Sequence, residues 1–329
     1  MTAEFCKRQL NSEEQKAYDC LLNGFRQYES KIRISAKVHQ EEVLAAFTAL
    51  EHDHPVLFFV CNTFICCTDS LGWVIYVEVS YLYELDQILA MLQQLSQIAE
   101  SIMYKTAHQE QRRTAELLHD YLVNHAVYQL PESGTEAQKA EAYSLIGALI
   151  NKRCVCSGFA KAYQYLCEKA HIPCLFVAGT ATDRFGVRHP HAWNMISIEG
   201  KWYHVDTTFD LMEGIQYNSK AYFLLSDREI LFNHSYEDGY TYPSCPESLS
   251  KLAIARDLEE LIRYLIAARK IRAGFSEYRL EQPVHRTVFT DELSDRIAQH
   301  RELSRHIQFF FTDHAEMIQK ISFVWKNID

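Results

Sequence analysis

The chain has 329 residues, of which 48% are hydrophobic and 23% charged, and its formal net charge is −10. This composition is typical of a globular protein with a large buried core, and it excludes the collagen-like and disordered classes. A net negative charge of this size argues against broad contact with phosphate backbones or anionic lipid. We therefore expect neither nucleic acid nor a membrane as a partner.

The sequence also limits the compartment and the metal chemistry. No stretch of bilayer-spanning length is free of charges, and the first fourteen residues are polar, so we expect no membrane span, no secretory signal and a cytoplasmic location. The ten cysteines are then expected to be mostly free, buried thiols. Their spacing lacks the paired C-x-x-C of structural zinc sites, so we expect no metal and no other cofactor.

Residues 1–105 are predicted to form an N-terminal α+β layer, with helices covering an antiparallel sheet. Apolar residues recur at helical spacing in three segments, and short β-rich runs lie between them. In chain order the pattern predicts a helix over 12–28, a strand over 31–35, a helix over 41–50, strands over 56–61, 63–67 and 73–79, and a helix over 83–104.

Residues 106–250 are helical first and rich in strands afterwards. The pattern predicts helices over 110–127, 136–151 and 157–170, followed by strands over 174–178, 192–198 and 201–205. The dipeptide Glu199-Gly200 is typical of a tight turn, so the last two strands are expected to form a hairpin.

Residues 251–329 form a third region, an additional α+β domain to which the sequence assigns no role. It carries 13 basic and 12 acidic residues, so the net charge of the chain resides in residues 1–250. The predicted elements are a helix over 252–271, strands over 277–280 and 286–289, a helix over 291–303, and strands over 306–311 and 320–325. The expected fold class of the whole chain is therefore α+β.

Three residues of the middle region suggest nucleophilic catalysis. Cys156 lies at the predicted start of a helix, where N–H dipoles stabilise a thiolate and an oxyanion. His191 begins a predicted strand and is the candidate base that takes the thiol proton and returns it to a leaving amine. Asp206 ends the next strand and would orient the imidazole. The hairpin places His191 and Asp206 nearly opposite each other, within one residue of register.

The segments around these residues resemble the three core motifs of the transglutaminase-like superfamily, in the family's order and at its typical spacing. The segments read Val-Cys-Ser-Gly-Phe-Ala over 155–160, His-Ala-Trp-Asn over 191–194 and Trp-Tyr-His-Val-Asp-Thr-Thr over 202–208. Flanking segments at 118–122 and 222–226 are similar to bacterial members, and the resemblance covers about 110–235. It makes residues 106–250 the catalytic core, and it does not extend to the C-terminal region.

The resemblance implies a papain-like fold in which the nucleophile helix packs on an antiparallel sheet. It assigns the nucleophile to Cys156, the general base and acid to His191, and the orienting carboxylate to Asp206. The implied reaction is acyl transfer at an amide bond through an S-acyl-enzyme. A peptide or protein is the implied substrate, an amine is a candidate acceptor, and no cofactor is needed. Many relatives have Gly where this chain has Cys154, which adds a second thiol near the site.

Other residues near the motifs are candidates for substrate binding or for rival roles. Trp193, Asn194, His189 and Tyr128 are the candidate substrate-binding residues: the first two follow His191, and Tyr128 lies upstream of the nucleophile. His189 is also a rival base, although Pro190 argues against a regular strand there. Of the other rivals, His119 with Asp120 is expected to be structural, His204 is expected to be packed or on the surface, and Asp210 is a less favoured substitute for Asp206.

Several interpretations of function stay open at this point. Hydrolysis and transamidation share the first half-reaction and differ in how water reaches the thioester. A non-catalytic interaction scaffold that keeps the fold is the alternative from another class. A thiol-based redox or metal site built from Cys154, Cys156 and His189 is a further one. The front layer could also cover the site as an inhibitory segment. The oligomeric state is not predicted.

Overall fold

The computed structural model describes residues 4–131, 134–183, 186–211, 218–237, 239–303, 307–311 and 316–325. Within these ranges the helices are α1 Ser12–Arg26, α2 Gln40–Asp53, α3 Leu85–Thr106, α4 Gln111–His125, α5 Glu136–Ala142, α6 Cys156–Lys169, α7 Asp227–Ile230, α8 Leu258–Lys270 and α9 Arg286–Gln299. In the described part of the chain, no helix has the length and apolar character needed to cross a membrane.

The strands that accompany these helices pair mainly antiparallel, which confirms the α+β class. They are β1 Lys31–Arg33, β2 Val60–Thr68, β3 Val74–Tyr81, β4 Val127–Tyr128, β5 Arg153–Cys154, β6 Cys174–Thr182, β7 Arg188–Ile198, β8 Lys201–Val205, β9 Phe223–Leu225, β10 His234–Tyr236, β11 Ala253–Ala255, β12 Phe275–His285, β13 Ile307–Phe311 and β14 Met317–Trp325.

The N-terminal layer packs α1 and α2 against a three-stranded antiparallel sheet of order β1-β3-β2. Helix α1 begins after Asn11, whose side chain accepts hydrogen bonds from the N–H groups of Glu13 and Glu14. The prediction of a strand over 56–61 was wrong for the first part of that range. The N–H groups of Leu57 and Val60 donate to carbonyls three residues back, so the chain turns there and β2 starts only at Val60.

The central unit is a five-stranded antiparallel sheet of order β10-β6-β7-β8-β9, on which α6 packs. Along β7 every residue from 191 to 198 is buried, because helices and loops cover both faces. The predicted hairpin between β7 and β8 is confirmed: Glu199 and Gly200 both adopt positive φ angles, of 52° and 81°.

The single helix predicted over 136–151 was wrong, because it breaks after α5. Ser144 bonds locally to the backbone, donating to the Glu141 carbonyl and accepting from the N–H of Ile146, which competes with helical bonding. A π-helical turn follows over Gly147–Asn151 and ends at Lys152, whose φ is 60°. After this turn, the chain runs beneath the start of α6.

The C-terminal unit is a four-stranded sheet of order β11-β12-β14-β13 with α8 and α9 packed on one face. The helix predicted from 252 starts only at Leu258, because Asp257 caps it by accepting from the N–H of Glu260. The strand predicted over 286–289 was also wrong. That segment is the first turn of α9, where Phe289, Leu293 and Ile297 form one buried stripe. Residue 306, the start of another predicted strand, lies outside the described residues.

The apolar core is divided between these units. One continuous cluster of buried side chains runs from the N-terminal layer into the central unit, from Cys6 to Leu224. Residues 255–325 of the C-terminal unit contain a separate cluster, from Ala255 to Trp325. The N-terminal layer is therefore packed into the central unit, whereas the C-terminal sheet has a hydrophobic core of its own.

Gly179 allows β10 to lie beside β6. A Cβ at this position would lie 2.0 Å from the Ser235 carbonyl oxygen and 3.0 Å from the Trp193 ring. We expect Gly179→Ala to lower the free energy of unfolding by about 1 to 3 kcal/mol, because backbone must move to make room. Urea unfolding with Ser235→Ala as the control tests this. An unchanged midpoint for Gly179→Ala would contradict the close approach.

Candidate active site

Cys156 is the first residue of α6 and is partly exposed. The turn before it is fixed by the Val155 N–H, which donates to the Ala142 carbonyl at 2.9 Å. Gly158 allows α6 to approach that segment, since a Cβ there would lie 2.6 Å from the Cys154 Cβ and 2.8 Å from the Ala142 oxygen. The Cys156 thiol is thus held at a helix N-terminus, where free N–H groups favour negative charge.

His191 and Asp206 are brought together from the ends of two strands. The ladder between β7 and β8 stops at the pair Asn194 and Val205, so the two residues meet through their side chains just beyond it. The distance from His191 Nε2 to Asp206 Oδ2 is 2.6 Å, and both side chains are buried. Because Nε2 faces Asp206, Nδ1 is the ring nitrogen that remains for Cys156, which is a hydrogen-bond partner of His191.

Hydrogen bonds with backbone groups fix the position of Asp206. Its own N–H donates to the Tyr222 carbonyl at 2.9 Å. Its Oδ1 accepts from the N–H groups of Thr208 and Phe209, at 2.9 and 3.0 Å. Oδ2 is left to face the imidazoles, so the orientation of the carboxylate is set before any substrate is present.

The charges of this group follow from the same contacts. Burial acts to lower the pKa of His191, but the Asp206 carboxylate and the hydrogen bond to Cys156 outweigh it and raise the pKa to about 10. Burial acts to raise the pKa of Asp206, yet His191 and His234 hold that pKa well below its usual range. At neutral pH the pair is therefore an imidazolium and a carboxylate, which can hold a thiolate beside them.

His234 is a further residue of this group that the sequence analysis missed. Its Nε2 lies 3.0 Å from the same Asp206 Oδ2, and its side chain is fully buried. Burial lowers the pKa of His234 to about 4 despite the opposing effect of Asp206. It arrives on β10, which pairs with β6 so that His234 stands opposite Ala181. No motif surrounds it, and only the strand pairing reveals its place.

The four candidate substrate-binding residues separate into two pairs. Trp193 and Asn194 are 1% and 0% exposed, so the expectation that they contact substrate is corrected: both are packed behind His191. Asn194 donates to the carbonyls of Ala160 and Leu175, which ties α6 to the sheet. The side chain of His189 is 57% exposed and Tyr128 is 42% exposed, so these two can face a ligand.

The rival acids and bases are bonded elsewhere. His119 is fully buried and lies 2.9 Å from Asp210, which also accepts from the hydroxyl of Ser219 and the N–H of Tyr222. His204 lies 2.9 Å from Asp227. His189 lies 3.4 Å from Asp183 on the surface. Among all the candidate histidines and acids, His191 and Asp206 are the pair that the geometry joins to Cys156.

Among the residues that the structure describes, two groups place possible metal ligands within reach of one another. One consists of His191, Asp206 and His234, and the other of His204, Asp227 and Cys245. In the first, Asp206 Oδ2 already meets both imidazoles. In the second, the Trp193 indole N–H donates to His204 Nδ1 at 3.1 Å. An indole N–H can only donate a hydrogen bond, so His204 Nδ1 is the acceptor. His204 Nε2 therefore carries the ring proton and donates a hydrogen bond to Asp227. Neither set fits an ion without loss of these bonds.

Cys154 also fits poorly with a redox or metal site beside Cys156. The side chain is fully buried, and burial raises the pKa of its thiol far above the usual range. A thiolate is the form that attacks disulfides and binds metals. His189, the third member of that hypothetical site, is paired with Asp183 on the surface. Cys154 is best described as a packing residue beneath α6.

Comparison with known proteins supports the motif analysis. Residues 96–207 match the model of the transglutaminase-like superfamily, a segment that contains Cys156, His191 and Asp206. Kyphoscoliosis peptidase of Homo sapiens is 24% identical over 96 residues, and the mouse protein of the same name is 26% identical over 96 residues. These matches cover 27% of this chain and 14% of each relative, so the chain spans only a small part of them.

Solved structures show weaker likeness. The crystal structure of a TGase has a TM-score of 0.33 with 15% identity, over 56% of this chain and 54% of the other. The periplasmic domain of TgpA from Pseudomonas aeruginosa has a TM-score of 0.27 with 17% identity, over 42% of this chain and 56% of that domain. The family match is the finding that identifies a transglutaminase-like fold in this part of the chain: residues 96–207, which hold the three motif residues, are similar to the transglutaminase-like superfamily.

Proposed function

We propose that the protein is a cysteine enzyme that cleaves an amide bond by acyl transfer to Cys156. The observation that carries this proposal is the buried His191–Asp206 pair, 2.6 Å apart, hydrogen-bonded onward to a thiol at a helix N-terminus. A scaffold without catalytic function has no need to bury an imidazolium and a carboxylate at this cost in solvation. The pair is therefore a better argument for catalysis than for binding alone.

Each step of the reaction has a residue for it. The Cys156 thiolate attacks the carbonyl carbon, and the N–H groups at the start of α6 stabilise the oxyanion. The imidazolium of His191 gives its Nδ1 proton to the leaving amine, which breaks the C–N bond and leaves an S-acyl-enzyme. His191, now neutral, takes a proton from water or an amine as that acceptor attacks the thioester. The acid or the new amide leaves, and the thiolate is restored.

We propose a peptide or protein as the acyl donor, since the family acts at amide bonds and Cys156 is open to solvent on one side. Water gives hydrolysis and a primary amine gives transamidation; His189 and Tyr128 are the exposed residues at which acceptor or donor contacts are expected. All ten cysteines are free thiols, which supports a reducing compartment such as the cytoplasm. We also propose that the chain divides into three units, residues 1–105, 106–250 and 251–329.

Intact-mass analysis with glutamine-containing peptides tests the proposal and separates the two outcomes. With peptide alone, an S-acyl adduct on Cys156 or loss of ammonia supports acyl transfer, and a new peptide amino terminus identifies peptidase action. With an added primary-amine probe, incorporation of the amine identifies transamidation. His191→Ala should lose all of these signals. If the wild-type protein forms no adduct and releases no product with a broad peptide library, the scaffold interpretation replaces this one.

A further inference from the structure

Polar side chains attach the C-terminal unit to the central unit. The C-terminal unit has a hydrophobic core of its own. In its sheet, β12 and β14 pair so that Glu277 stands opposite Ser322, and the Glu277 carboxyl group reaches the segment 218–222 just before β9. That segment ends at Tyr222, whose carbonyl accepts from the N–H of Asp206. The contacts of Glu277 therefore join the C-terminal sheet to the segment that anchors the catalytic carboxylate.

Four oxygen atoms form a row at this junction. Asp210 Oδ1 lies 2.8 Å from the Ser219 hydroxyl oxygen, which lies 2.7 Å from Glu277 Oε1. Glu277 Oε1 lies in turn 2.9 Å from the Ser322 hydroxyl oxygen. All three distances are those of O–H···O hydrogen bonds, and each such bond needs a proton of its own. The row therefore needs three protons.

The two serine hydroxyls supply two of these protons. A hydroxyl carries one hydrogen, so Ser219 can donate to Asp210 or to Glu277 but not to both. With both carboxyl groups ionised, one of the short contacts would bring two acceptors together with no proton between them, which is costly away from water. The third proton therefore resides on a carboxyl group of the row, either Asp210 or Glu277.

The neighbours of Asp210 make it the ionised member of the row. Lys220 Nζ lies 3.2 Å from His119 Nδ1, and because an ammonium group can only donate, His119 Nε2 carries the ring proton. Nε2 donates to Asp210 Oδ2 at 2.9 Å, and the N–H of Tyr222 donates to Oδ1 at 3.0 Å. Among the described residues, Glu277 accepts from one N–H group, that of Lys220 at 2.8 Å. Asp210 thus stabilises a negative charge better, which leaves the proton to Glu277.

Charged groups of both signs surround Glu277. On its own face of the sheet lie Arg279, which forms an ion pair with a glutamate of α7, and Lys320, which lies over a tyrosine ring. On the other side of the junction, the Lys220 ammonium pairs with an aspartate of α4, and Asp210 is one hydroxyl away from Glu277. Burial and the charge of Asp210 raise the pKa of Glu277 above its ordinary value and outweigh the hydrogen bonds that lower it.

We propose that Glu277 keeps its proton in the folded protein at pH values where exposed glutamates are ionised, and that this proton attaches the C-terminal sheet to the segment 218–222. Glu277 then donates to Ser219, and Ser219 donates to Asp210. The Ser219 oxygen also accepts from the N–H of Ala221 at 3.2 Å, so its hydrogen and both lone pairs are used. Every contact in the row is satisfied in this state.

The junction is therefore a pH-sensitive attachment between the C-terminal unit and the segment that anchors Asp206. When the pH rises far enough to remove the proton from Glu277, two carboxylates face one hydroxyl and repel each other. The attachment weakens, and the amides of the segment become easier to expose. This inference goes beyond the proposed function, since it needs no activity of Cys156.

NMR titration of the glutamate carboxyl carbons tests the proton directly. We expect the Glu277 resonance, assigned by its loss in Glu277→Gln, to titrate at a higher pH than that of Glu281, an exposed glutamate of the same strand. In Asp210→Asn, which removes the neighbouring charge, this difference should shrink. If Glu277 titrates together with Glu281, or if the difference is unchanged in Asp210→Asn, the proposal is overturned.

Hydrogen exchange of the segment tests the attachment. The N–H groups of Lys220 and Tyr222 donate to the two carboxyl groups, so they exchange when the junction opens. After correction for intrinsic exchange, we expect the opening constant of these amides to rise about threefold or more from about pH 5 to about pH 7.

Two glutamine variants separate the proton of Glu277 from other effects of pH. In Glu277→Gln the amide N–H takes the place of the carboxyl proton, so the opening constant should stay within about twofold over the same range. Glu281→Gln is the matched control and should behave like the wild type. An equal rise in the wild type and in Glu277→Gln, or no rise in the wild type, would overturn the pH-sensitive attachment.

Discussion

Asp206→Asn is expected to lower kcat/KM by about 10³- to 10⁴-fold, as an orienting carboxylate does in a triad. The asparagine carbonyl can keep the bonds from the Thr208 and Phe209 N–H groups, so the side chain stays in place. Its amide nitrogen then faces His191 and His234 and cannot accept from either ring. Without the Asp206 charge, only the bond to Cys156 opposes burial, so the pKa of His191 is expected to fall from about 10 and the imidazolium to be lost near neutral pH.

The dependence of stability on pH should change in the same variant. The lowered pKa of Asp206 contributes stability that is present above about pH 4 and is lost as the pH falls further. The raised pKa of His191 contributes stability that is present below about pH 6.5 and is lost as the pH rises through about 10. Both contributions should disappear from the pH dependence of urea unfolding in Asp206→Asn.

Asp210→Asn is the matched control for this prediction. Asp210 is also fully buried and also bonded to a histidine, His119, but it does not contact His191. Its replacement should lower the free energy of unfolding and leave the pH profile of kcat/KM in place. If Asp206→Asn keeps activity within about tenfold of the wild type, or if Asp210→Asn matches its loss, Asp206 is not the orienting carboxylate.

Cys156→Ser is expected to reduce turnover by about 10⁴-fold or more and to abolish the S-acyl adduct. The hydroxyl is close to the thiol in size, so α6 should keep its N-terminal geometry, but it is a much weaker nucleophile beside the same histidine. Steady-state kinetics and intact-mass analysis of the stalled reaction measure the two effects.

Cys154→Ala separates the role of the nucleophile from that of its neighbour. Cys154 is buried beneath Gly158, so its replacement should cost some stability and leave kcat within about threefold. Equal inactivation by Cys154→Ala would show that packing under α6, and not the Cys156 thiol, accounts for the loss. Retained turnover in Cys156→Ser would show that another group carries the acyl transfer.

Features of the site that depend on local sequence were predictable. The start of α6 is marked by the apolar stripe that follows Cys156, and the β7–β8 hairpin by Glu199-Gly200. Since the hairpin fixes the register, it also fixes that His191 and Asp206 come near each other. The motif resemblance added the chemical roles and the family.

Features set by tertiary contacts were not predictable in this way. His234 reaches Asp206 because a three-residue strand pairs with β6 some fifty residues earlier, and such a short strand has no periodic signal. The break after α5 depends on one hydroxyl, that of Ser144, which takes up backbone groups a helix would use. The start of α9 at Arg286 was read as a strand because a short apolar run fits both periods.

The measurement that tests the central claim most directly is alkylation by limiting iodoacetamide from about pH 5 to about pH 9, with peptide mapping of all ten thiols. We predict that Cys156 reacts at least about tenfold faster than the other cysteines below pH 7, and that His191→Ala removes this advantage, because the imidazolium holds the thiolate. If Cys156 reacts no faster than the others, or if its rate is unchanged in His191→Ala, the protein has no activated nucleophile and the proposed catalytic pair is contradicted.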